Sequence, residues 1–497
     1  MSDTAHFGLL VALVAGVVML AVLSNRASTR LRVPAPAFFL LGAALASDLQ
    51  PGLGHLPILT VQRVVTVALA VILFDGGMHI GRARLRQAAG PVLWIGVAGT
   101  LVTAAALALL AHGLFGLSWT GAALLGTALA PTDPAVVFSV LGRRQIAGRA
   151  GTLLEGESGA NDPVGIALMA ALLSATAGHH GGAGLGDALG VFAEQMFIGL
   201  GVGAVGGFAL LEFTRRVPLP TEGLYPLRVL AGALGVYGVA AVAEGSGFLA
   251  VFVAGIVLCD ARAPYAREVK RFHGAVAGLA EITAFTVLGL TVSLRSLPRG
   301  DALGIGLALA VLLAFLVRPL LVGLLLIPVR LAGRERVIVL WAGLKGAVPI
   351  LLGTYILTAA VPDAARLYDI VFVVVAFSVL VQGGLLPALA QRLRVPVRIV
   401  EPEPWSLGVR LRHEPQNLRR VLIVSGAAAD RARIDELALD QGVWISIVLR
   451  DGRLLDLGGD TVLRAGDEVL LLADPQQAAD PADVFTRPAG QRSAATS

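Results

Sequence analysis

A regular succession of long apolar segments constrains the fold of this sequence more than any other feature. Most segments approach the ~20 residues that a helix needs to cross about 30 Å of hydrocarbon. Only 15% of the residues are charged, against about 25% in soluble domains. Because backbone polar groups in lipid must be paired within the spanning structure, we predict an all-α polytopic membrane protein. The thirteen segments lie at residues 7–24, 33–47, 59–80, 90–112, 117–141, 155–178, 187–211, 224–243, 247–258, 273–294, 302–327, 337–359 and 368–391.

The charges between these segments predict the orientation. All the loops after odd-numbered segments are rich in Arg and Lys, whereas four loops after even-numbered segments have neither, and the loop SLRSLPRGDA has two arginines. By the positive-inside rule the basic loops are cytoplasmic. We therefore expect a protein of the cytoplasmic (inner) membrane with its N-terminus outside the cell membrane and its C-terminus in the cytoplasm. The formal net charge of +5 then reflects these loops, and we expect no nucleic-acid partner.

The chain changes character after about residue 395. Charged residues become frequent, VLIVS, VWISIVL and DEVLLLA are typical of short strands, and DRARIDELALDQG of a short helix. We therefore divide the chain into a transmembrane domain at 1–394, a small cytoplasmic α/β or α+β domain at 398–475 and a disordered tail at 476–497. The single cysteine, Cys259, excludes an intramolecular disulfide and the cysteine-rich zinc motifs, and we predict no cofactor.

A polar cluster interrupts the sixth segment, LLEGESGANDPVGIALM. On a helix Glu157 and Asn161 are four residues apart, as are Ser158 and Asp162, so all four lie within one arc. A lone acid at mid-bilayer costs at least ~2.5–3.5 kcal/mol, so this arc must face protein or water. The alternative is a hydrogen-bond network that only packs helices, for which carboxylates are a poor choice.

The fifth and twelfth segments contain prolines at membrane depth. Pro131 and Pro134 flank Thr132 and Asp133, and prolines leave upstream carbonyls unpaired. Such carbonyls persist only where they are buried or line a cavity, and broken helices of this kind build ion sites in transporters; a simple kink is the alternative. Because the two segments run in opposite directions, we predict inverted repeats, roughly segments 2–7 against 8–13.

Four further charges within the membrane need an explanation. Lys345 is the only charge in the twelfth segment, and we take Glu157 as its natural partner. Glu281 and Arg318 lie at similar depth, and we predict a structural ion pair or a gate. Asp75 lies about a turn inside the cytoplasmic end of the third segment. Its position fits a residue of the ion pathway and a residue at the membrane interface equally well.

An intramembrane protease is a rival interpretation of the sixth segment. GESG at residues 156–159 matches the G-x-S-G of rhomboid proteases. Such an enzyme needs a histidine base at membrane depth, whereas all eight histidines lie in loops, at segment ends or in the soluble part. We reject this interpretation and do not expect an enzyme.

Three motifs carry a resemblance to a known family. APTDP, EGESGANDP and GLKGAVP resemble those of the type-1 monovalent cation:proton antiporters, and the resemblance covers roughly residues 7–393. It implies thirteen transmembrane helices, a homodimer, and two unwound helices, segments 5 and 12, that cross near the ion site. It also implies exchange of K⁺ or Na⁺ for H⁺, with a role in pH and cation homeostasis.

The resemblance also implies roles for individual residues. Asp162 would bind either the cation or the proton, and Asp133, Ser158 and the Thr132 backbone would complete the coordination. Asn161 would hold the crossing. Family members often have Glu where this chain has Asp75, so the candidate ligand is shorter here. They often have Arg where this chain has Lys345, which keeps the positive charge but lacks the two parallel donors of a guanidinium.

The C-terminal stretch GDTVLRAGDEVLLLAD resembles the regulatory domain of potassium-conductance and Trk-type proteins. This implies a domain that pairs and binds a small regulatory ligand, often in K⁺/H⁺ exchangers.

Because Asn161 stands where a second Asp could, one ionisable group, Asp162, carries the cycle, and we predict electroneutral exchange. A cation channel gated by this domain is the alternative, and the sequence does not choose among K⁺, Na⁺ and Li⁺.

Overall fold

The computed structural model divides into two compact units, residues 1–400 and 401–497, which are described separately. The first predicted segment, 7–24, lies outside the described residues apart from isolated positions. The description covers residues 8, 16, 19, 34–54, 56–141, 144–146, 148–177, 185–259, 265–329, 331–359, 361–395, 397–399, 418–437, 439, 443–450, 453–455, 457–473 and 483–486.

The first unit is built of helices. Helical residues occupy each predicted segment from the second to the thirteenth. The helices are α1 Ala35–Leu49, α2 Ile58–Leu93, α3 Thr100–Phe115, α4 Trp119–Leu129, α5 Pro134–Leu141, α6 Gly148–Ala177, α7 Leu185–Arg216, α8 Leu224–Val242, α9 Gly247–Cys259, α10 Ala266–Gly289, α11 Ala302–Leu312, α12 Gly323–Leu325, α13 Gly333–Trp341, α14 Ala347–Thr358, α15 Ala364–Phe377 and α16 Gly384–Arg392.

Wider turns interrupt several of these helices. Three π-helical turns, Trp94–Gly99, Leu313–Val322 and Ser378–Gly383, join α2 to α3, α11 to α12 and α15 to α16. Gly81 breaks α2 with φ 67° and ψ 161°, a backbone conformation that glycine adopts without a Cβ clash. The predicted segments 4, 11 and 13 are therefore continuous helical paths with a local change of pitch, and Gly81 marks a change of direction between segments 3 and 4.

Seven helical stretches among the described residues are long and apolar enough to cross a membrane. They are Ile58–Gly81, Gly90–Phe115, Gly186–Arg216, Leu224–Val242, Ala266–Gly289, Ala302–Leu325 and Ala364–Arg392. Four shorter apolar helices, α1, α4, α9 and α14, lie in the predicted segments 2, 5, 9 and 12. Helix α6 has 30 residues but carries the polar cluster, which lowers its mean hydropathy.

Helix α9 lies at the centre of the packing, against α2 and α7, and α2 also packs on α6 and α10. Two glycines let α2 and α9 approach closely. A Cβ on Gly77 would overlap the backbone of Phe252, and a Cβ on Gly255 would overlap the backbone of Phe74. Small residues at such crossings are the usual means of close helix packing in membranes.

Two short strands correct the prediction of an all-α first unit. Strands β1, Arg144–Ile146, and β2, Val397–Ile399, pair antiparallel, with Arg144 opposite Ile399. Ile146 is buried in the helical core, which anchors this ribbon. The loop between α5 and α6 thus contacts the chain that follows the last membrane helix, a long-range pairing that three-residue strands do not reveal in sequence.

The second unit is a small four-stranded sheet domain. Strands β3 Leu418–Leu422, β4 Val443–Arg450, β5 Arg453–Leu454 and β6 Glu468–Ala473 follow the order β3-β6-β4-β5, with all neighbours antiparallel. The three predicted strands are present, although the first, predicted at 421–425, lies three residues earlier, at Leu418–Leu422. The predicted helix in DRARIDELALDQG is wrong. Its described part holds only a three-residue 3-10 turn, Ile434–Glu436, which buries none of its side chains fully.

The buried core of this domain includes a residue from the predicted tail. Phe485, in the short helix α17 Asp483–Thr486, is fully buried and packs with Val469 and Leu471. Its neighbours Val424 and Ala429 are also hydrogen-bonded to this helix. The prediction of disorder across 476–497 is therefore wrong for residues 483–486, because the Phe485 side chain and two backbone hydrogen bonds hold them against the sheet.

Candidate functional site

Two irregular segments of the first unit lie against each other. The aspartate segment, residues 130–133, separates α4 from α5, and the lysine segment, residues 342–346, separates α13 from α14. The Asp133 amide donates to the Leu344 carbonyl oxygen at 2.8 Å. The Lys345 ammonium donates to the carbonyl oxygens of Ala130 and Pro131, each at 2.9 Å. Backbone groups freed by the helix breaks are therefore satisfied by the opposite segment.

The polar arc of α6 holds the aspartate segment through Thr132. The Ser158 hydroxyl donates to the Thr132 carbonyl oxygen at 2.6 Å. The Asn161 amide group donates to the Thr132 hydroxyl at 2.7 Å and accepts from the Thr132 backbone amide at 3.4 Å. All three residues are buried. The family resemblance implied that these residues lie together, and the structure brings them into direct contact.

Asp162 is the carboxylate that these contacts leave available. It is 7% exposed, and its Oδ1 is buried without a hydrogen-bond partner. Asp133 and Lys345 lie within electrostatic range of it. A buried carboxylate oxygen without a donor is costly unless a proton or a cation satisfies it. Asp162 is thus suited to bind either one.

Glycines in the lysine segment make room for the charged groups. A Cβ on Gly346 would overlap the Asp133 carboxylate, and a Cβ on Gly343 would overlap the Arg318 guanidinium. Neither glycine has a positive φ, so space rather than backbone freedom explains them. Asp133 is half-buried beside this gap.

The predicted partner of Glu157 is wrong. Arg318 donates from its terminal nitrogen to Glu157 Oε1 at 2.8 Å, with both side chains 5% exposed. The same guanidinium donates to the backbone oxygens of Leu340, at 2.9 Å, and Val339, at 3.3 Å, at the end of α13. Arg318 lies in the π turn of the eleventh segment, whose pitch changes the face on which its side chain emerges.

Lys345 uses backbone oxygens instead of a carboxylate. Its ammonium bonds to Ala130 and Pro131, while Glu157 and Asp162 act on it only electrostatically. A three-donor ammonium suits two carbonyls, whereas the planar Arg318 fork suits a carboxylate with adjacent carbonyls. Charge and depth alone therefore assign the two cations to the wrong acceptors.

Glu281 is consequently not the partner of Arg318. It lies between Ala277 and Ala284 on the buried face of α10, and its Oε1 is buried without a hydrogen-bond partner. The charge that acts on it is that of Asp133. Glu281 therefore belongs to the surroundings of the aspartate segment, which the sequence did not indicate.

Asp75 lies apart from the contacts around Thr132. Its Oδ2 is 3.3 Å from His79 Nδ1, one turn later in α2, and its Oδ1 is buried without a partner. Its hydrogen bonds and ion pairs among the described residues join it to His79 rather than to Asp133 or Asp162. A role as a ligand stays a prediction.

A polar pair in the last membrane helix was not predicted from sequence. Ser378 and Gln382 are buried and hydrogen-bond to the lysine segment and to Trp341. The available signal was the spacing of two polar residues, four apart, in an otherwise apolar run. Together the site offers carboxylate, hydroxyl and carbonyl oxygens, the ligand type that hard cations prefer.

Comparison with known proteins adds a second line of evidence. The family model described as "Sodium/hydrogen exchanger, transmembrane" matches residues 11–392, and the model "TrkA-C domain" matches residues 418–485. The K(+)/H(+) antiporter NhaP of Alkalimonas amylolytica is 32% identical over 488 residues, which cover 97% of this chain and 84% of that protein. The K(+)/H(+) antiporter NhaP2 of Shewanella sp. (strain ANA-3) is 32% identical over 494 residues, covering 97% and 83%.

A solved structure supports the architecture of the helical unit. The sodium proton antiporter MjNhaP1 from Methanocaldococcus jannaschii at pH 8 superposes with a TM-score of 0.63 and 23% identity, covering 77% of this chain and 100% of that chain. At this identity the similarity concerns the fold alone.

Proposed function

The chain belongs to the sodium/hydrogen exchanger family, and from this premise we propose that it is a secondary active antiporter that exchanges a monovalent cation for H⁺. The carboxylate of Asp162, buried without a hydrogen-bond partner beside two irregular segments, is the observation that carries the proposal. The family match confirms the resemblance of the three membrane motifs to cation:proton antiporters. The TrkA-C match confirms the resemblance of the C-terminal stretch to the Trk-type regulatory domain.

Competition for Asp162 accounts for obligatory exchange. When a cation binds Asp162 and nearby oxygens of Asp133, Ser158 or Thr132, the proton must leave; when a proton binds, the carboxylate no longer attracts the cation. The bonds of Lys345 and Asn161 to the aspartate segment support a site that keeps its shape through this cycle. Movement of the site between the two faces of the membrane would complete transport.

Several finer features belong to the same proposal. The two irregular segments would be the unwound parts of two crossing helices in a thirteen-helix, inverted-repeat fold. The N-terminus would lie outside, the C-terminal domain at 398–475 in the cytoplasm, and the protein would form a homodimer in the inner membrane. The C-terminal domain would pair and bind a small regulatory ligand.

We propose K⁺ as a transported cation, because two relatives that match nearly the whole chain are named K(+)/H(+) antiporters. With Asn161 beside Asp162, one ionisable group would carry one proton against one cation, so exchange would be electroneutral. Turnover in voltage-clamped proteoliposomes should then be independent of membrane potential. A current at fixed proton gradient without counter-transport would support the alternative of a cation channel gated by the C-terminal domain.

Asp162→Asn tests the assignment directly. In everted vesicles the wild type should collapse a pre-formed pH gradient on addition of K⁺, with Na⁺ and Li⁺ compared in parallel, whereas Asp162→Asn should not, although it inserts normally. Glu194→Gln, an exposed carboxylate of α7, is the matched control and should behave as the wild type. Gradient collapse by Asp162→Asn at the wild-type rate would contradict the assignment.

A further inference from the structure

We propose that Ser378 and Gln382, in the last membrane helix, position the ion site by holding both ends of the lysine segment; the proposal rests on the exchange function above. They are the only polar side chains between residues 370 and 390. Both are buried and lie four apart in the π turn Ser378–Gly383. They form a polar cluster that contacts the lysine segment and that the exchange mechanism does not use.

Gln382 holds the end of α13. Its side-chain amide donates to the Trp341 carbonyl oxygen at 2.7 Å, and its own backbone carbonyl accepts from the Trp341 indole nitrogen at 3.0 Å. Trp341 is the last residue of α13, where carbonyls have no partner within the helix. At membrane depth water does not satisfy such a carbonyl, so Gln382 takes that role.

Ser378 holds the other end of the segment. Its hydroxyl accepts from the Lys345 backbone amide at 3.0 Å and donates to the Gln382 side-chain oxygen at 3.1 Å. Lys345 lies just before α14, in which the first amides have no partner within the helix. Ser378 and Gln382 therefore form one connected unit that satisfies backbone groups on both sides of the break.

This unit reaches the ion site through Lys345. While the Lys345 amide is held by Ser378, its ammonium bonds to Ala130 and Pro131, and the preceding Leu344 carbonyl accepts from the Asp133 amide. A shift of the lysine segment would move all these contacts with the aspartate segment. Ser378 and Gln382 are thus positioning residues, which need not touch the cation.

The packing around the π turn agrees with this role. A Cβ on Gly383 would lie 3.0 Å from Pro34 Cγ and 3.5 Å from Leu344 Cδ1, so the turn is in direct contact with the lysine segment. A π turn also places side chains and carbonyls off the regular helical register, and such turns are frequent at functional sites. Here it aims both the side chain and the carbonyl of Gln382 at Trp341.

The test compares variants of this unit with a buried glutamine elsewhere. Ser378→Ala removes the hydroxyl, Gln382→Met removes the amide at similar length, and Ser378→Thr restores a hydroxyl. Gln62→Leu is the matched control: Gln62 is buried and donates to the Thr358 hydroxyl at 3.1 Å, away from the lysine segment. Exchange rates, the apparent KM for K⁺ and Na⁺, and the Tm are measured on the full chain in proteoliposomes and detergent.

We expect Ser378→Ala and Gln382→Met to lower kcat/KM for the cation by roughly tenfold to a hundredfold, as misplacement of about 1 Å does at reacting sites, and to change the K⁺/Na⁺ preference. Ser378→Thr should recover most of the activity. Gln62→Leu should lower the Tm comparably but leave KM and cation preference unchanged.

Wild-type KM, kcat and cation preference in both Ser378→Ala and Gln382→Met, with only a lower Tm, would overturn the inference. If Ser378→Ala does not fold, Gln382→Met alone decides, since it leaves the Lys345 bond in place. A wild type that shows no cation-dependent exchange contradicts the proposed function, whereas unaltered kinetics in the variants contradict only this inference.

Discussion

The buried ion pair between Glu157 and Arg318 makes a quantitative prediction. Arg318→Met leaves the Glu157 carboxylate buried without its cation, and breaking such a pair costs about 3–5 kcal/mol. It also removes the donor to the Val339 and Leu340 carbonyl oxygens, each worth about 1 kcal/mol or more. We therefore expect the free energy of unfolding to fall by about 5 kcal/mol. Glu157→Gln should cost about half as much, because Arg318 keeps its backbone acceptors.

A double-mutant cycle isolates the pair itself. We expect Glu157→Gln and Arg318→Met to be coupled by about 3 kcal/mol, at the upper end of measured coupling energies. The same cycle with Lys345→Met should give less than half that value, because the Lys345 ammonium bonds to Ala130 and Pro131 rather than to Glu157. The assay is reversible unfolding of the purified full chain in mixed detergent micelles, with the free energies compared at one detergent composition.

The result that refutes this reasoning is specific. A coupling of Glu157 with Lys345 that exceeds its coupling with Arg318 would restore the pairing predicted from sequence. It would also mean that Lys345 leaves the carbonyls of the aspartate segment. Equal stability of the wild type and Arg318→Met would show instead that Glu157 does not stay buried and charged when its partner is lost.

A further prediction concerns an acid outside this pair. In the C-terminal domain, burial raises the pKa of Asp467, but its bonds from Arg450 and the Arg464 amide outweigh burial and leave the pKa below its usual value. Asp467→Asn should therefore destabilise the domain by about 1–3 kcal/mol at neutral pH. The difference in stability between wild type and variant should shrink as the pH falls below about 3.9 and through the lowered pKa, because the wild-type carboxylate is then protonated. Proteolysis of the full chain at several pH values measures this difference.

The sequence predicted that the polar residues of α6 share one face and that a helix breaks near residues 131–134, because local spacing determines both features. The four-residue spacing of Ser158 and Asp162 follows from helix geometry alone, and the prolines at 131 and 134 mark where a helix cannot continue. Depth in the membrane follows equally simply from the rise per residue. These arguments need no knowledge of which helices are neighbours.

The partners of the charges were not predictable in the same way. Two groups at one depth meet only if their helices are adjacent and their faces are aligned, and the π turn that carries Arg318 shifts its face from the α-helical expectation. The strand pairing of Arg144–Ile146 with Val397–Ile399 and the docking of Phe485 likewise depend on contacts distant in sequence. Even the two glycines of GLKG are informative only once Arg318 and Asp133 are seen beside them.

The corrected pairing changes which carboxylate at the site is available to a transported ion. Both buried cations bond to carbonyls at the C-terminal ends of interrupted helices, Arg318 at α13 and Lys345 at α4, where the helix dipole favours positive charge. Arg318 also takes Glu157 as its counter-ion, so Glu157 is not free to bind a transported ion. Asp162 alone in the α6 arc then keeps a buried oxygen without a donor. In the exchange that we propose, an entering cation would displace only a proton from this carboxylate and not a lysine. An exchange of one charge for another at a single group is what electroneutral antiport requires.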